Sequence, residues 1–182
     1  MAALESRIFD LVQDERHALD PKAKPLAHDS ELSQVARAHS ADMAKKNYFA
    51  HRGPDGETSA GLIMDTDAQF QGLLGENLAA QYFVAGSGVD VEIFAHRFVD
   101  AWLASPSHRE NLAFAAYDRS GVGAAVDGNT IYVTQLFATD LGLSGHPADP
   151  KTRKITELPD TKSANPAPSD ATPPEPAAAA PH

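Results

Sequence analysis

The sequence predicts an α+β fold with an antiparallel sheet, and three observations carry that expectation. Apolar residues recur at helical spacing through the first fifty residues and again over 91–102. Two apolar runs flank Asp127-Gly128-Asn129 and read as a β-hairpin that comes last. The composition breaks near residue 146, which bounds the folded part. Helices first and a hairpin last do not give the βαβ alternation of a parallel sheet.

The first helix is marked by Leu4, Ile8, Leu11 and Val12, a buried stripe at three-to-four spacing. Pro21 and Pro25 end it. Asp29 or Ser30 can cap a second helix, whose apolar face holds Leu32, Val35, Ala36, His39 and Met43. Gly-Pro-Asp-Gly at 53–56 is a turn, and a short helix is expected near 57–64. Glu76 enters a strand. After a Gly/Ser loop at 86–88, Val91, Phe94, Phe98 and Trp102 mark a strongly amphipathic helix. Ser105-Pro106 ends it, because a residue before proline avoids helical angles. The same pair can open a further helix, with Ser105 as cap and Pro106 in first position. Residues 121–126 and 130–137 are the hairpin strands.

The domain expectation is 1–146 folded and 147–182 a mobile, partly extended tail. All 13 aromatic residues lie at or before Phe137, and nine of the 13 prolines lie at or after Pro147. A Pro/Ala-rich segment without an aromatic anchor buries too little apolar surface to offset its ordering entropy. Charge excludes one function class: 25 acidic against 15 basic residues give -10. Nucleic-acid binding needs clustered Lys and Arg, so no nucleic-acid partner is expected. No apolar run approaches the ~18 residues of a spanning helix, so a soluble chain is expected. With no cysteine, disulfides, thiol nucleophiles and Cys-type zinc sites are absent. The N-terminus lacks the basic start and apolar stretch of a secretory signal.

Three polar segments carry the candidate chemistry: Asn47-Tyr48-Phe49-Ala50-His51, Gly75-Glu76-Asn77, and Ser105-Pro106-Ser107-His108-Arg109-Glu110-Asn111. Imidazole and carboxylate together bind a divalent ion or trade protons near neutral pH. Asn77 suits bracing of irregular backbone on both sides. Arg109 and Asn111 are expected to brace their loop. His39, on the apolar stripe of its helix, reads as a core histidine with a satisfied hydrogen bond. His96 lies with Glu92 and Asp100 on a face opposite Phe94, Phe98 and Trp102, so a solvated polar face is expected there.

The order of these segments resembles a known family. It runs His-Ser-x-Asp-Met-Ala (39–44), Asn-Tyr-Phe-x-His (47–51), Gly-Glu-Asn-Leu-Ala (75–79) and Ala-Trp-Leu-x-Ser-Pro-x-His-Arg-x-Asn-Leu (101–112). Gly-Val-Gly (121–123) and Tyr-Val-Thr-Gln-Leu-Phe (132–137) close it. This is similar to the CAP superfamily of cysteine-rich secretory, antigen 5 and pathogenesis-related proteins, in its cysteine-free bacterial branch. The resemblance covers roughly residues 4–139. It implies an α-β-α sandwich with a small antiparallel sheet between helical layers. It also implies a secreted or periplasmic protein, whose signal peptide has been removed from this chain.

Eukaryotic relatives carry a cleft tetrad of two His and two Glu, proposed to bind divalent metal. His51 and Glu76 match half of it. Ser105 stands where the second Glu would be and Tyr132 where the second His would be. His108 is the candidate for the missing imidazole. The implied cleft is His51, Glu76, His108 and Tyr132, with Asn77, Ser105, Arg109, Asn111, Thr134 and Gln135 in support. The implied metal ligands are His51, Glu76 and His108, and the implied ion is zinc or another divalent cation. One Glu and at most two His fall short of the four ligands of a structural zinc site.

The function expected is a binding module, not an enzyme, for a small ligand, a peptide, a glycan or a lipid. The first rival is a metal-dependent hydrolase in the same cleft, with a zinc-bound water as nucleophile. The second is lipid or sterol binding in a groove between helices, which requires a contiguous exposed apolar patch. Ser105 and Ser107 lie near His108, but neighbours on one turn rarely form a Ser-His-acid constellation. Ligand and oligomeric state do not follow from the sequence.

Overall fold

The structure, a computed structural model, describes residues 1–68 and 70–140. The expected tail at 147–182, and its boundary near 146, lie outside the described residues. Five helices and four strands follow one another as α1 (Ala2–Leu19), β1 (Ala27–His28), α2 (Ser30–Lys46), α3 (Ser59–Thr66), β2 (Gly72–Tyr82), α4 (Val91–Ala104), α5 (Pro106–Ala113), β3 (Arg119–Asp127) and β4 (Thr130–Asp140).

Local chemistry sets the ends of these elements. The Asp29 side chain caps α2 by accepting from the amides of Glu31 and Leu32. Asn47 closes α2 in the left-handed region, at φ 53°, a conformation that asparagine tolerates. Thr58 caps α3 through the amide of Gly61, so that helix starts two residues later than expected. Asp90 caps α4 through the amide of Ile93. Ser105 ends α4 and stands at the N-cap of α5, but its hydroxyl makes no capping bond. It lies instead 3.3 Å from the Ser107 hydroxyl. Gly128, at φ 51°, makes the tight turn that joins β3 to β4.

The strand order is β1-β3-β4-β2. The three long strands are antiparallel, while β1 runs parallel to β3. The antiparallel sheet is the expected one, and the short β1 added in parallel at its edge makes it mixed. A two-residue strand carries no alternation to read. It exists because the amides of Ala27 and Asp29 donate to the carbonyls of Asp118 and Ser120.

Helical layers cover both sheet faces. On one, α1, α4 and α5 pack a large core around Ile8, Phe98, Trp102, Tyr117, Val133 and Phe137. Burying each such side chain contributes roughly 1.5–3 kcal/mol. On the other, α2 and α3 enclose smaller apolar groups around Val35, Ile63 and Leu136, and around Met43, Leu78 and Tyr132. The helix α2 lies directly on β3 because that strand reads Gly-Val-Gly. A Cβ on Gly121 would overlap the backbone of Ser33, and one on Gly123 the backbone of Arg37. The close approach lets Ser40 Oγ reach Gly123 O at 3.0 Å and Thr134 Oγ1 at 2.9 Å. Glu5 of α1 ties the layers together: it accepts from Arg37 of α2, down to 2.7 Å, and from the Ala124 amide at 3.0 Å.

Candidate functional site

Strand β2 is at the sheet edge, and the site is assembled on it. Glu76 shares a sheet face with Leu78, the side covered by α2 and α3. Its carboxylate gathers three partners from three segments. Ser59 Oγ of α3 donates to Oε1 at 2.5 Å. His39 Nδ1 of α2 stands 2.9 Å from the same oxygen. His51 Nδ1 stands 2.6 Å from Oε2. Burial alone lifts the Glu76 pKa, but the hydrogen bonds from His39 and His51, with their charges, outweigh it and bring it to about 2. Glu76 is a carboxylate throughout the neutral range.

The loop between α2 and α3 delivers His51, and its shape is built locally. Tyr48 OH donates to Asp42 Oδ2 at 2.8 Å, and Lys46 pairs with both Asp42 (2.8 Å) and Asp55 (2.6 Å). Lys46 first, then Tyr48, hold the Asp42 carboxyl below its usual range. The amide of Gly53 donates to Glu57 O at 2.8 Å, and Gly56 turns at φ 86°. The outcome is a His51 side chain 42% exposed.

From the other side of β2, α5 brings His108. Burial pushes its pKa down, and the charge of His51 pushes it further, so the two imidazoles sense each other. The two asparagines hold α5 in place. Asn77, fully buried, donates to His108 O at 3.2 Å. Asn111 donates to Asn77 Oδ1 at 2.9 Å and to Glu76 O at 3.1 Å. Trp102 Nε1 donates to Leu78 O at 3.0 Å, two residues along the same edge. Gly75 precedes Glu76 because a Cβ there would overlap the Tyr117 hydroxyl.

The remaining expected site residues are dispersed. Tyr132 packs with Met43, Ala44 and Leu78, with Tyr48 beside it, and is not among the partners of Glu76. Thr134 takes the Ser40 bond on the α2 face. Gln135 faces the opposite side and donates to Ser120 Oγ at 3.2 Å. Arg109 is exposed, and its amide donates to Ser105 O at 2.9 Å. His96 sits on Glu92 at 3.1 Å on an exposed face.

Sequence reasoning missed two members of the site, His39 and Ser59. His39 is buried and satisfied, as a core histidine should be, yet its partner is the cleft carboxylate. Ser59 carries no sequence signal beyond its place after the Thr58 cap. The pair also resembles part of a hydrolytic triad, and geometry argues against that role. The same His39 nitrogen faces both Ser59 and Glu76, while Nε2 meets Ala50 O at 3.1 Å. A triad needs its two partners on opposite ring nitrogens. Ser59 and His39 are also only 5% and 4% exposed, out of a substrate's reach.

Glu76 is not an open metal ligand as placed: both its oxygens already accept hydrogen bonds, one of them from His51 Nδ1, which leaves Nε2 as the ring nitrogen that could meet a ligand. Among the described residues, no three His, Asp or Glu side chains gather as the ligands of one ion would.

Known proteins show the same arrangement of elements. The profile of the cysteine-rich secretory protein family, CAP, matches residues 9–137. The Bacillus subtilis protein YkwD is 31% identical over 137 residues, which are 75% of this chain and 48% of YkwD. The chain thus spans about half the length of that relative. An outer surface protein of Borrelia burgdorferi superposes with a TM-score of 0.59 at 26% identity, over 72% of this chain and 89% of that one. An extracellular SCP-domain protein of Bacillus anthracis gives 0.58 at 33% identity, over 74% and 39%. The profile takes in α2, the His51 loop, Glu76 and α5, all the elements that build the site, and the chain belongs to the CAP family.

Proposed function

We propose that this protein is an extracytoplasmic CAP-domain binding module. Its ligand cleft lies over the β2 edge, between His51 and His108, with Glu76 beneath and Tyr132 in the adjoining apolar wall. One observation carries this reading: both oxygens of Glu76 are committed inside the protein. The carboxylate therefore orients His51 and does not itself act on a substrate. A half-exposed imidazole held this way is a preorganised hydrogen-bonding group, which suits recognition.

The hydrolase reading needs three metal ligands with an open position, or an accessible nucleophile. Neither is supported by the geometry around Glu76 and Ser59. Lipid binding needs an open apolar groove, whereas the apolar side chains beside Tyr132 are buried. The extracytoplasmic placement rests on likeness to an outer surface protein and an extracellular one.

Chemical-shift mapping of the isotope-labelled full chain tests the proposal, using a panel of dipeptides, oligosaccharides and short-chain lipids. Saturable perturbation centred on His51 and His108 is expected from at least one class. Hydrolysis of an ester or peptide substrate, abolished by His51→Ala, would overturn it.

A further inference from the structure

Strand β2 is 11 residues long, and β4 is its one neighbour in the sheet. Their register runs unbroken from Gly72 to Tyr82. One step further on, the Phe83 amide donates to Asn129 O at 2.9 Å. Phe83 therefore turns its main-chain groups toward β4. Along an antiparallel strand, successive residues turn theirs to alternate sides. Gln81 and Ala79 thus face β4, whereas Glu76, Leu78, Ala80 and Tyr82 face outward.

The middle of this edge is closed. Glu76 O accepts from Asn111 and Leu78 O from Trp102, side chains of the helices packed beside it. The next two outward residues differ. Among the described residues, no side chain bonds the main chain of Ala80 or Tyr82, and both are exposed, Tyr82 to 64%. Val84, 68% exposed, carries the apolar surface past the strand end. Edge strands are ordinarily blunted by lysine, proline or a bulge. Strand β2 contains no Lys, Arg or Pro, and its register has no break. Its single charged side chain, Glu76, turns into the protein toward Ser59, His39 and His51.

Charge selects what can join this edge. Neither β2, nor the 83–90 loop that leaves it, nor the hairpin turn beside Tyr82 carries a basic residue. Their other charges are Asp90 and Asp127. At the end of α2, Lys46 is already paired with Asp42 and Asp55. Through Leu141 the chain holds 20 acidic and 11 basic residues. Such a field attracts a basic segment and repels an acidic one. The chain's own C-terminal residues start from the wrong place, since Asp140 lies opposite Gly72, at the far end of β2 from Tyr82.

We infer that the outward edge of Ala80–Tyr82 takes an extended, basic segment of a partner protein as an added strand. The N–H and C=O groups of Ala80 and Tyr82 bond the backbone of that segment, and its alternate side chains lie against Tyr82 and Val84. No cleft side chain takes part, so this pairing stands or fails separately from the cleft.

The test uses the full chain and a capped peptide of alternating lysine and valine, about eight residues long, within the range of an ordinary strand. Amide hydrogen exchange at Ala80 and Tyr82 is followed by NMR as the peptide is added. The expected result is saturable slowing at both amides, by about tenfold or more at saturation. The same peptide N-methylated at every residue lacks the main-chain donors and should leave both amides unprotected. An alternating glutamate–valine peptide should bind at least about tenfold more weakly. Ala80→Pro removes an outward N–H where an edge strand tolerates proline, and should abolish the slowing at Tyr82. Absence of saturable slowing overturns the inference, and so does binding undiminished by N-methylation. Slow exchange at both amides before any peptide is added also overturns it, because a second copy or the chain's own residues then hold the edge.

Discussion

Glu76 and Asn77 are neighbours on β2 whose side chains serve opposite faces of the sheet. Glu76 holds α2, α3 and the His51 loop on one side. Asn77 bonds His108 O and Asn111 on the other. The alternation of a strand makes this unavoidable, since successive side chains point to opposite faces. Two adjacent residues at a sheet edge thereby set the positions of both cleft histidines.

Removing the Glu76 charge should cost more than removing a surface carboxylate. Glu76→Gln replaces a carboxylate that is hydrogen-bonded to Ser59, His39 and His51 by an amide that cannot accept at both ends, and each buried group left unpaired costs about 1–3 kcal/mol. Ser59→Ala removes one hydrogen bond to a charged acceptor and should cost about 1.5 kcal/mol. Urea denaturation should rank the two variants in that order. A Glu76→Gln protein as stable as the parent would refute that cost.

The same carboxylate predicts an acid limb of stability. The Glu76 pKa is depressed to about 2 from an ordinary value near 4.5. Unfolding therefore takes up a proton between those values, and stability falls as pH drops through that window. Above about pH 4.5 the contribution is fully present. Glu92 titrates in the same window beside Arg7, but on an exposed face. A comparison with Glu76→Gln separates the two: the variant should show a flatter fall in unfolding free energy from about pH 4.5 to 2.

His108 adds to acid sensitivity at higher pH. Its pKa is pushed down in the folded state, by burial first and then by His51. Below the ordinary histidine pKa, near 6.5, the unfolded chain then binds the proton that the folded chain declines, so stability drops. His108→Gln should reduce the loss of stability on going from about pH 7 to about pH 5. Denaturant midpoints at the two pH values measure it.

Much of the fold is legible because its signals are local. The stripes of α1, α2 and α4 recur within a turn or two, and the Asp29 and Pro106 boundaries lie in short motifs. What escapes is set by distance along the chain or by brevity. The two-residue β1 has no period. His39 and Glu76 are 37 residues apart, so the helix pattern shows a buried histidine without showing what satisfies it. Spacing is silent on the expected metal set for the same reason: it does not give the direction in which His51, Glu76 and His108 point their donors. Tyr132 was placed by family analogy, and its neighbours turn out to be Met43 and Leu78.

The Gly-Val-Gly run of β3 predicts a sharp intolerance. A Cβ on Gly123 meets the backbone of α2, which cannot rotate aside as a side chain would. Gly123→Ala must lift α2 from the sheet, loosening the Ser40 bonds to Gly123 and Thr134. Overpacking of this kind costs about 1–3 kcal/mol or more. Gly128→Ala, in a turn with open space around it but at positive φ, should cost only about 1 kcal/mol. Thermal melts of the two variants should separate by several degrees, with Gly123→Ala the lower.

The asparagine clasp should decide whether α5 stays docked. Asn111→Ala leaves Asn77 Oδ1 and Glu76 O without the donor they share, and each buried acceptor so stranded costs about 1–3 kcal/mol. The loss is local to the β2 edge, because α2 is held by Glu5, Ser40 and the glycines of β3 instead. Hydrogen exchange should therefore show α5 amides losing protection well before those of α2. Equal loss in both helices would mean that the sheet edge, not the clasp, governs the docking of His108.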